Sequence, residues 1–251
     1  MSTLPLSPSG EPDPLGAGEP TPTWGLGEVV VGILGSLALS TLIGALIIGI
    51  AGWKTSDQIP VWGMALLQIP LWGGYLGAVV FAGRRLGNGV AADFGVRQQW
   101  LDVPVGLAIG IVTQLLVLPA IYLPILWALG SDQDELSEPA RELASRANSS
   151  IGWILFALIV GVGAPVVEEL FYRGLFLRAL RKKGLAPALC VVISAAVFAA
   201  IHFQPLQFPG LFVVGLVCGA LVARTGRLGP AIWVHVGFNG TAALSLYLSR
   251  S

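Results

Sequence analysis

Charge is what this chain has least of. Fourteen basic and 14 acidic residues are spread over 251 positions, 11% of the total, where a soluble domain carries about 25%. With 55% apolar residues, 33 glycines and a mean hydropathy of +0.78, that scarcity excludes an ordinary water-soluble domain. The formal net charge is zero and no basic stretch tracks the sequence, which argues against a nucleic-acid partner. Cysteine is nearly absent too. Cys190 and Cys218 both lie inside apolar runs, too few for a disulfide framework, and read as small packing residues between helices. The HExxH zinc-protease motif is missing, and histidine occurs only at His202 and His235.

The first 24 residues contain no Lys or Arg but six prolines, Pro5, Pro8, Pro12, Pro14, Pro20 and Pro22. Such a segment buries too little apolar surface to fold, so residues 1–24 are expected to form a disordered, Pro-rich cytoplasmic tail. Without a basic leading region, and with its apolar stretch arriving late, it does not read as a signal peptide.

Beyond residue 24, uncharged stretches long enough for the ~30 Å hydrocarbon layer recur along the chain. They fall at about 29–52, 61–83, 103–130, 150–177, 185–203, 208–223 and 228–248. The expected fold class is therefore all-α, a polytopic transmembrane bundle of about seven helices. Residues 25–149 would supply the first three helices with their loops, and 150–248 the functional core. The polar link 84–102 carries Trp100, suited to headgroup depth. Residues 131–149 hold five acids, with Ser137 placed as a cap before Glu138 and Pro139, and predict a short surface helix. Gly215 and Gly219 have the small-xxx-small spacing of close helix packing.

Counted over alternate loops, nine basic residues (Arg84, Arg85, Arg97, Arg178, Arg181, Lys182, Lys183, Arg224 and Arg227) fall on one side. Lys54, Arg141, Arg146 and Arg250 fall on the other. The positive-inside rule then places the N-terminus in the cytoplasm of an integral membrane protein.

Against this background, the ionisable groups inside the apolar runs stand out. A charged side chain at membrane depth is costly and marks a functional site by default. Glu168 and Glu169 end the uncharged run 150–167, and Arg173 follows one turn later. Glu169 and Arg173 have the acid-first i, i+4 order of an ion pair. Glu168 is rotated by about 100° from them, so two neighbouring carboxylates can take different roles. Phe198 and His202 share one helix face, and His235 and Asn239 share another. If the helices on either side of Gly184 form a hairpin, Glu168 and His202 differ in height by only ~3 Å. His235 lies at a similar depth, about 11–14 Å from the basic surface. The segment 204–209 would then begin within the membrane, which is tolerable only where it lines a cavity.

In order and spacing, Glu168-Glu169-Leu-Phe-Tyr-Arg173, Phe198-Ala-Ala-Ile-His202 and His235-Val-Gly-Phe-Asn239 resemble the EExxxR, FxxxH and HxxxN motifs of the CPBP family of intramembrane proteases (CAAX protease and bacteriocin-processing, or Abi). The resemblance covers about residues 150–248. It implies an endopeptidase acting on membrane-associated proteins or peptides, lipidated in the CAAX-type case, from a cavity that opens toward the cytosol. By that analogy the catalytic set is Glu168, Glu169, Arg173, His202, His235 and Asn239. Glu168 activates water with help from His202, His235 and Asn239 stabilise the oxyanion, and Glu169 and Arg173 shape and charge-balance the site. A second version places zinc between His202, His235 and Glu169, and the sequence leaves both open. A non-proteolytic immunity or scaffolding protein of the same fold is the main alternative. A proton-coupled transporter is a further one, although no inverted repeat is visible. The expected location is the plasma membrane.

Overall fold

In the computed structural model, residues 22–249 are described; residues 1–21, most of the expected tail, lie outside them. Helices account for most of the described chain. We label them α1 (Leu26–Ala51), α2 (Val61–Arg85), α3 (Val90–Phe94), α4 (Asp102–Leu129), α5 (Gln133–Ser145), α6 (Ser150–Lys182), α7 (Pro187–Ala200), α8 (Phe208–Thr225) and α9 (Gly229–Leu248).

All seven apolar runs become helices, but only five of these are long and apolar enough to cross a membrane: α1, α2, α4, α6 and α8. The expected count of about seven spans is thus met only in part. Helix α7 has 14 residues, about 21 Å at 1.5 Å per residue, short of the ~30 Å layer. The outward faces are greasy: Val31 is 68% exposed, Ile50 80% and Trp127 86%. Contiguous apolar surface of this kind is incompatible with water and suits lipid.

Helix ends follow local chemistry. Gly52, Gly130 and Gly226 close α1, α4 and α8 in the left-handed conformation, which costs a residue without Cβ least. Gly184, with φ +80°, makes the expected hairpin turn between α6 and α7. The surface helix begins one turn earlier than the sequence suggested. Asp132 Oδ1 accepts the Glu135 amide at 2.8 Å, and the Ser137 hydroxyl instead bonds the Gln133 carbonyl inside the helix. An aspartate at the N-cap, with acids in the first turn, suits the positive end of the helix dipole and displaces the serine as the start signal.

The small-residue spacing on α8 is used as expected. A Cβ on Gly215 would lie 2.9 Å from the Ala195 Cβ of α7, and one on Gly219 would lie 3.0 Å from Val191 Cγ1. Gly215→Val should therefore force α7 and α8 apart and lower the apparent melting temperature in detergent. An unchanged melting curve would show that this seam has slack.

The two classes of loop separate to opposite ends of the bundle. At the basic end, Arg178 donates to the Gly226 carbonyl at 2.8 Å, Arg227 pairs with Asp102 at 2.9 Å, and Leu228 N–H meets Gly95 O at 2.9 Å. Lys182 lies 4.4 Å above the Trp24 ring. At the other end, Ser56 Oγ bonds Glu142 at 3.3 Å, and Arg146 reaches both Glu142 and the Ile59 carbonyl. These contacts hold α5 across the α1–α2 loop.

Helix α6 is not uniform. Residues Ile159–Gly163 and Glu169–Phe176 are π-helical, as are Thr113–Val117 within α4. Such wide turns are rare and concentrate at functional sites. Two of the carbonyls they carry are met by side chains from neighbouring helices: Ser194 Oγ bonds Tyr172 O at 3.0 Å, and Asn239 Nδ2 bonds Val160 O at 2.8 Å.

Candidate active site

The three sequence motifs converge where α6, α7 and α9 cross. Glu169 and Arg173 are fully buried and paired at 2.9 Å, as their spacing predicts. Arg173 also donates to the Gly215 carbonyl at 3.1 Å and lies 4.6 Å from the centre of the Phe198 ring. A guanidinium so placed has an anion, a carbonyl and an aromatic face, which together replace much of its lost hydration.

Glu169 holds a second partner. Its Oε1 is 2.9 Å from Nδ1 of His235. Because a carboxylate accepts, Nδ1 carries the hydrogen, and this fixes the tautomer and turns Nε2 toward Glu168, whose Oε2 is 3.7 Å away. The adjacent acids thus contact opposite edges of one imidazole. Glu168 retains side-chain exposure of 16%, against 0% for Glu169.

His202 is placed differently from its expected role as the ring facing Glu168. Its Nδ1 is 2.7 Å from Phe198 O, an i, i+4 bond to its own helix, which makes Nδ1 the donor and leaves Nε2 as the other edge of the ring. The imidazole nearest Glu168 is that of His235. Spacing along a helix set the level of each ring but not its rotamer. Phe198 touches both rings, at 4.9 Å from His202 and 5.7 Å from His235, each edge-on. It lies between the two imidazoles while also meeting Arg173.

Glu168, His202, His235 and Asn239 line one cavity of about 610 Å³. The site was expected to open on the basic side, whereas the lining residues of the cavity lie away from the basic loops. The cavity uses the ends of α2, α6 and α8 remote from the basic loops, and the half of α9 beyond His235, as far as Leu246. It runs toward the end that carries α5, whose Leu136, Ser137, Pro139, Ala140 and Leu143 form part of its wall. The gap arises because α7 stops at Ala200 and the chain turns within the bundle. That turn resolves the problem of polar backbone at membrane depth: Leu206 O and Gly210 N both meet the Tyr122 hydroxyl at 3.0 Å, and Gln207 bonds the Leu136 carbonyl at 3.2 Å.

The zinc set His202, His235 and Glu169 is not gathered around one point, although Glu169 Oε2 has no hydrogen-bond partner. Glu169 Oε1 is engaged by both Arg173 and His235, on the Nδ1 edge of the imidazole. Among the described residues no group of three or more His, Cys, Asp or Glu is disposed to hold a metal ion.

Sequence reasoning missed the contribution of the first half of the chain. Met64 and Gln68 of α2, with Gln114, Leu118 and Tyr122 of α4, line the same cavity. The available signal was two glutamines, Gln68 and Gln114, standing inside apolar runs. Tyr172 is 1% exposed and shares a 2.9 Å hydrogen bond with Tyr75 behind the acid pair.

Compared with known protein families, residues 150–241 match a family model described as Rce1-like, type II CAAX prenyl endopeptidase Rce1-like. All six residues of the motif set lie inside that match. No curated protein and no solved structure matches the chain.

Proposed function

Proceeding from a segment 150–241 that is Rce1-like and CAAX-protease-like in sequence, we propose that the protein is a membrane-embedded endopeptidase. It hydrolyses peptide bonds of membrane-associated proteins or peptides with a water activated by Glu168. The observation that carries this reading is the relay Arg173–Glu169–His235–Glu168, closed on the buried side and open to the cavity at Glu168.

The roles follow from what each atom can donate or accept. Glu168, the one carboxylate of the relay with exposed surface, takes a proton from a water in the cavity as general base. The water oxygen bonds to the substrate carbonyl carbon, and the carbonyl electron pair moves onto oxygen. Collapse of that intermediate breaks the C–N bond, and the proton held by Glu168 passes to the departing amine. Asn239 gives one amide hydrogen to Val160 O and directs the other toward the oxyanion. His235, held at Nδ1 by Glu169, presents Nε2 to the same end of the cavity as Glu168. Preorganised donors of this kind supply a large share of the rate. His202, with Nδ1 committed to Phe198 O, offers Nε2 to the water or the leaving group. Glu169 and Arg173 position His235 and balance charge. Helices α2, α4 and α5 act with the core by completing the cavity wall.

With the basic end in the cytoplasm, as the charge asymmetry favours, the cavity leads from Glu168 toward the opposite leaflet. The N-terminus is then cytoplasmic, and substrate reaches the site from the bilayer or from the side of α5.

The direct test compares membrane-peptide fragments in cells making the intact chain and its Glu168→Ala form. Fragments that depend on Glu168 are expected; identical fragment sets would end the protease reading. The two histidines should also separate. His235→Ala removes the partner of a buried carboxylate and should lower both melting temperature and turnover. His202→Ala should lower turnover with little change in melting. The reverse order of stability effects would contradict the assigned contacts.

A further inference from the structure

Among the described residues, positive φ occurs at glycines such as Gly52, Gly130 and Gly184, and at one residue that is not glycine, Phe203, at +54°. For a bulky side chain this left-handed backbone is a costly outlier, and such outliers persist only where the surrounding structure imposes them. The Phe203 ring is 73% exposed. What the residue gives to the protein itself is therefore its backbone rather than its packing.

The consequence falls on the residue before it. In a continuing α-helix the N–H of His202 would take the carbonyl of Phe198, four residues back. It turns instead to Ala199 O at 3.4 Å, and the Phe203 N–H goes to Ala200 O at 3.1 Å. This tightening of the last turn releases the Phe198 carbonyl. The His202 ring takes it, with Nδ1 at 2.7 Å from that oxygen. Because a carbonyl only accepts, Nδ1 carries a hydrogen, and Nε2 is the edge left for the cavity that His202 lines.

The turn is held from its far side. Pro205 disfavours helical backbone at Gln204. Beyond it, Leu206 O accepts from the Tyr122 hydroxyl at 3.0 Å, and Gln207 donates to the Leu136 carbonyl at 3.2 Å. Phe203 is the one residue between His202 and these anchors with positive φ, so the change of direction is made there.

We propose that the left-handed backbone of Phe203 orients His202: by breaking the helical pattern just past the histidine, it gives the Phe198 carbonyl to the imidazole and fixes which ring nitrogen faces the cavity. Phe203 is a positioning residue that acts through His202 and not through its own side chain. The part of His202 in turnover rests on the endopeptidase reading; the orientation of its ring does not.

The test compares Phe203→Leu, Phe203→Gly and Phe203→Val in the purified full chain in detergent micelles. Leucine, like phenylalanine, is unbranched at Cβ; glycine adopts positive φ freely, and β-branched valine resists it. Nitrogen NMR of isotope-labelled histidine sees only His202 and His235, and His202→Ala assigns them. In the parent, Leu and Gly proteins His202 should show the well-separated ring shifts of a fixed Nδ1–H tautomer. In Phe203→Val these should move toward the average of two exchanging tautomers, while His235 stays unchanged. With a fluorescence-quenched farnesylated peptide, Phe203→Val should lower kcat about tenfold or more with KM within about twofold, the usual result of misplacing a reacting group. Leu and Gly should keep kcat within about twofold, and valine should cost nothing further in a His202→Ala background. Phe203→Gly should also raise the melting temperature by about 2–4 °C. If valine prevents folding, glycine decides: higher melting with the tautomer kept supports the inference. A fixed His202 tautomer in Phe203→Val would overturn it, as would a Phe203→Gly protein that melts lower or loses the tautomer. If the spectra behave as expected and no Glu168-dependent cleavage is seen, the endopeptidase reading fails while the orientation of His202 by Phe203 stands.

Discussion

Glu168→Gln is expected to reduce peptide cleavage by about 10²- to 10⁴-fold, the usual cost of removing a general base, while leaving the protein folded. The separation of these two effects is the informative part. Glu168 keeps 16% of its side chain exposed, and Nε2 of His235 is 3.7 Å away. The amide is nearly isosteric and leaves no buried charge without a partner, so the melting temperature in detergent should stay within a few degrees. Single-turnover cleavage, with elution and melting measured on the same preparation, checks both. A Glu168→Gln protein that cleaves at the parental rate would remove Glu168 from the chemistry and leave the open end of the relay without a role.

Arg173→Met should do the opposite and act first on stability. Both members of the Glu169–Arg173 pair are fully buried. Deleting the cation leaves the buried carboxylate without its counter-charge, and the Gly215 carbonyl without the Arg173 donor. Breaking a buried pair from one side costs about 3–5 kcal/mol, which for a chain of this size lowers the melting temperature on the order of 10 °C. The double variant Glu169→Gln/Arg173→Met should regain part of that loss, because the penalty comes from the orphaned charge rather than from the pair itself. It should remain poor in turnover, since the Glu169 carboxylate no longer steers His235. Thermal unfolding of the parent, single and double variants decides the matter. A single variant as stable as the parent would mean that Glu169 is not held as a buried anion.

How much of the fold and site was legible in the sequence depended on whether a property is local to one helix. The Glu169–Arg173 pair needs only i, i+4 spacing, and the turn at Gly184 needs only a residue tolerant of φ +80°; both could be read directly. The level of His202, His235 and Asn239 followed from rise per residue, and all three line the same cavity. Rotamers did not follow. His235 rather than His202 stands against Glu168 because Glu169 holds its Nδ1, while His202 is turned back to Phe198 O. The start of α5 differs by one turn from its expected place because Ser137 and Asp132 are both capping residue types, and only the backbone bond to Glu135 distinguishes them.

The sequence by itself determined that this is a helical membrane protein, that the ionisable groups within its apolar runs fall into three motifs, and that basic loops gather at one end. Each is a property of a single segment, fixed by hydropathy, helical period or loop charge. Only the tertiary structure decided which imidazole edge meets which carboxylate, that the first half of the chain supplies Gln68 and Gln114 to the site, and that the cavity runs away from the basic end. Those depend on how far α7 extends before it turns, and on which helices fill the space it leaves. Packing between distant segments, not the period within any one of them, sets that outcome.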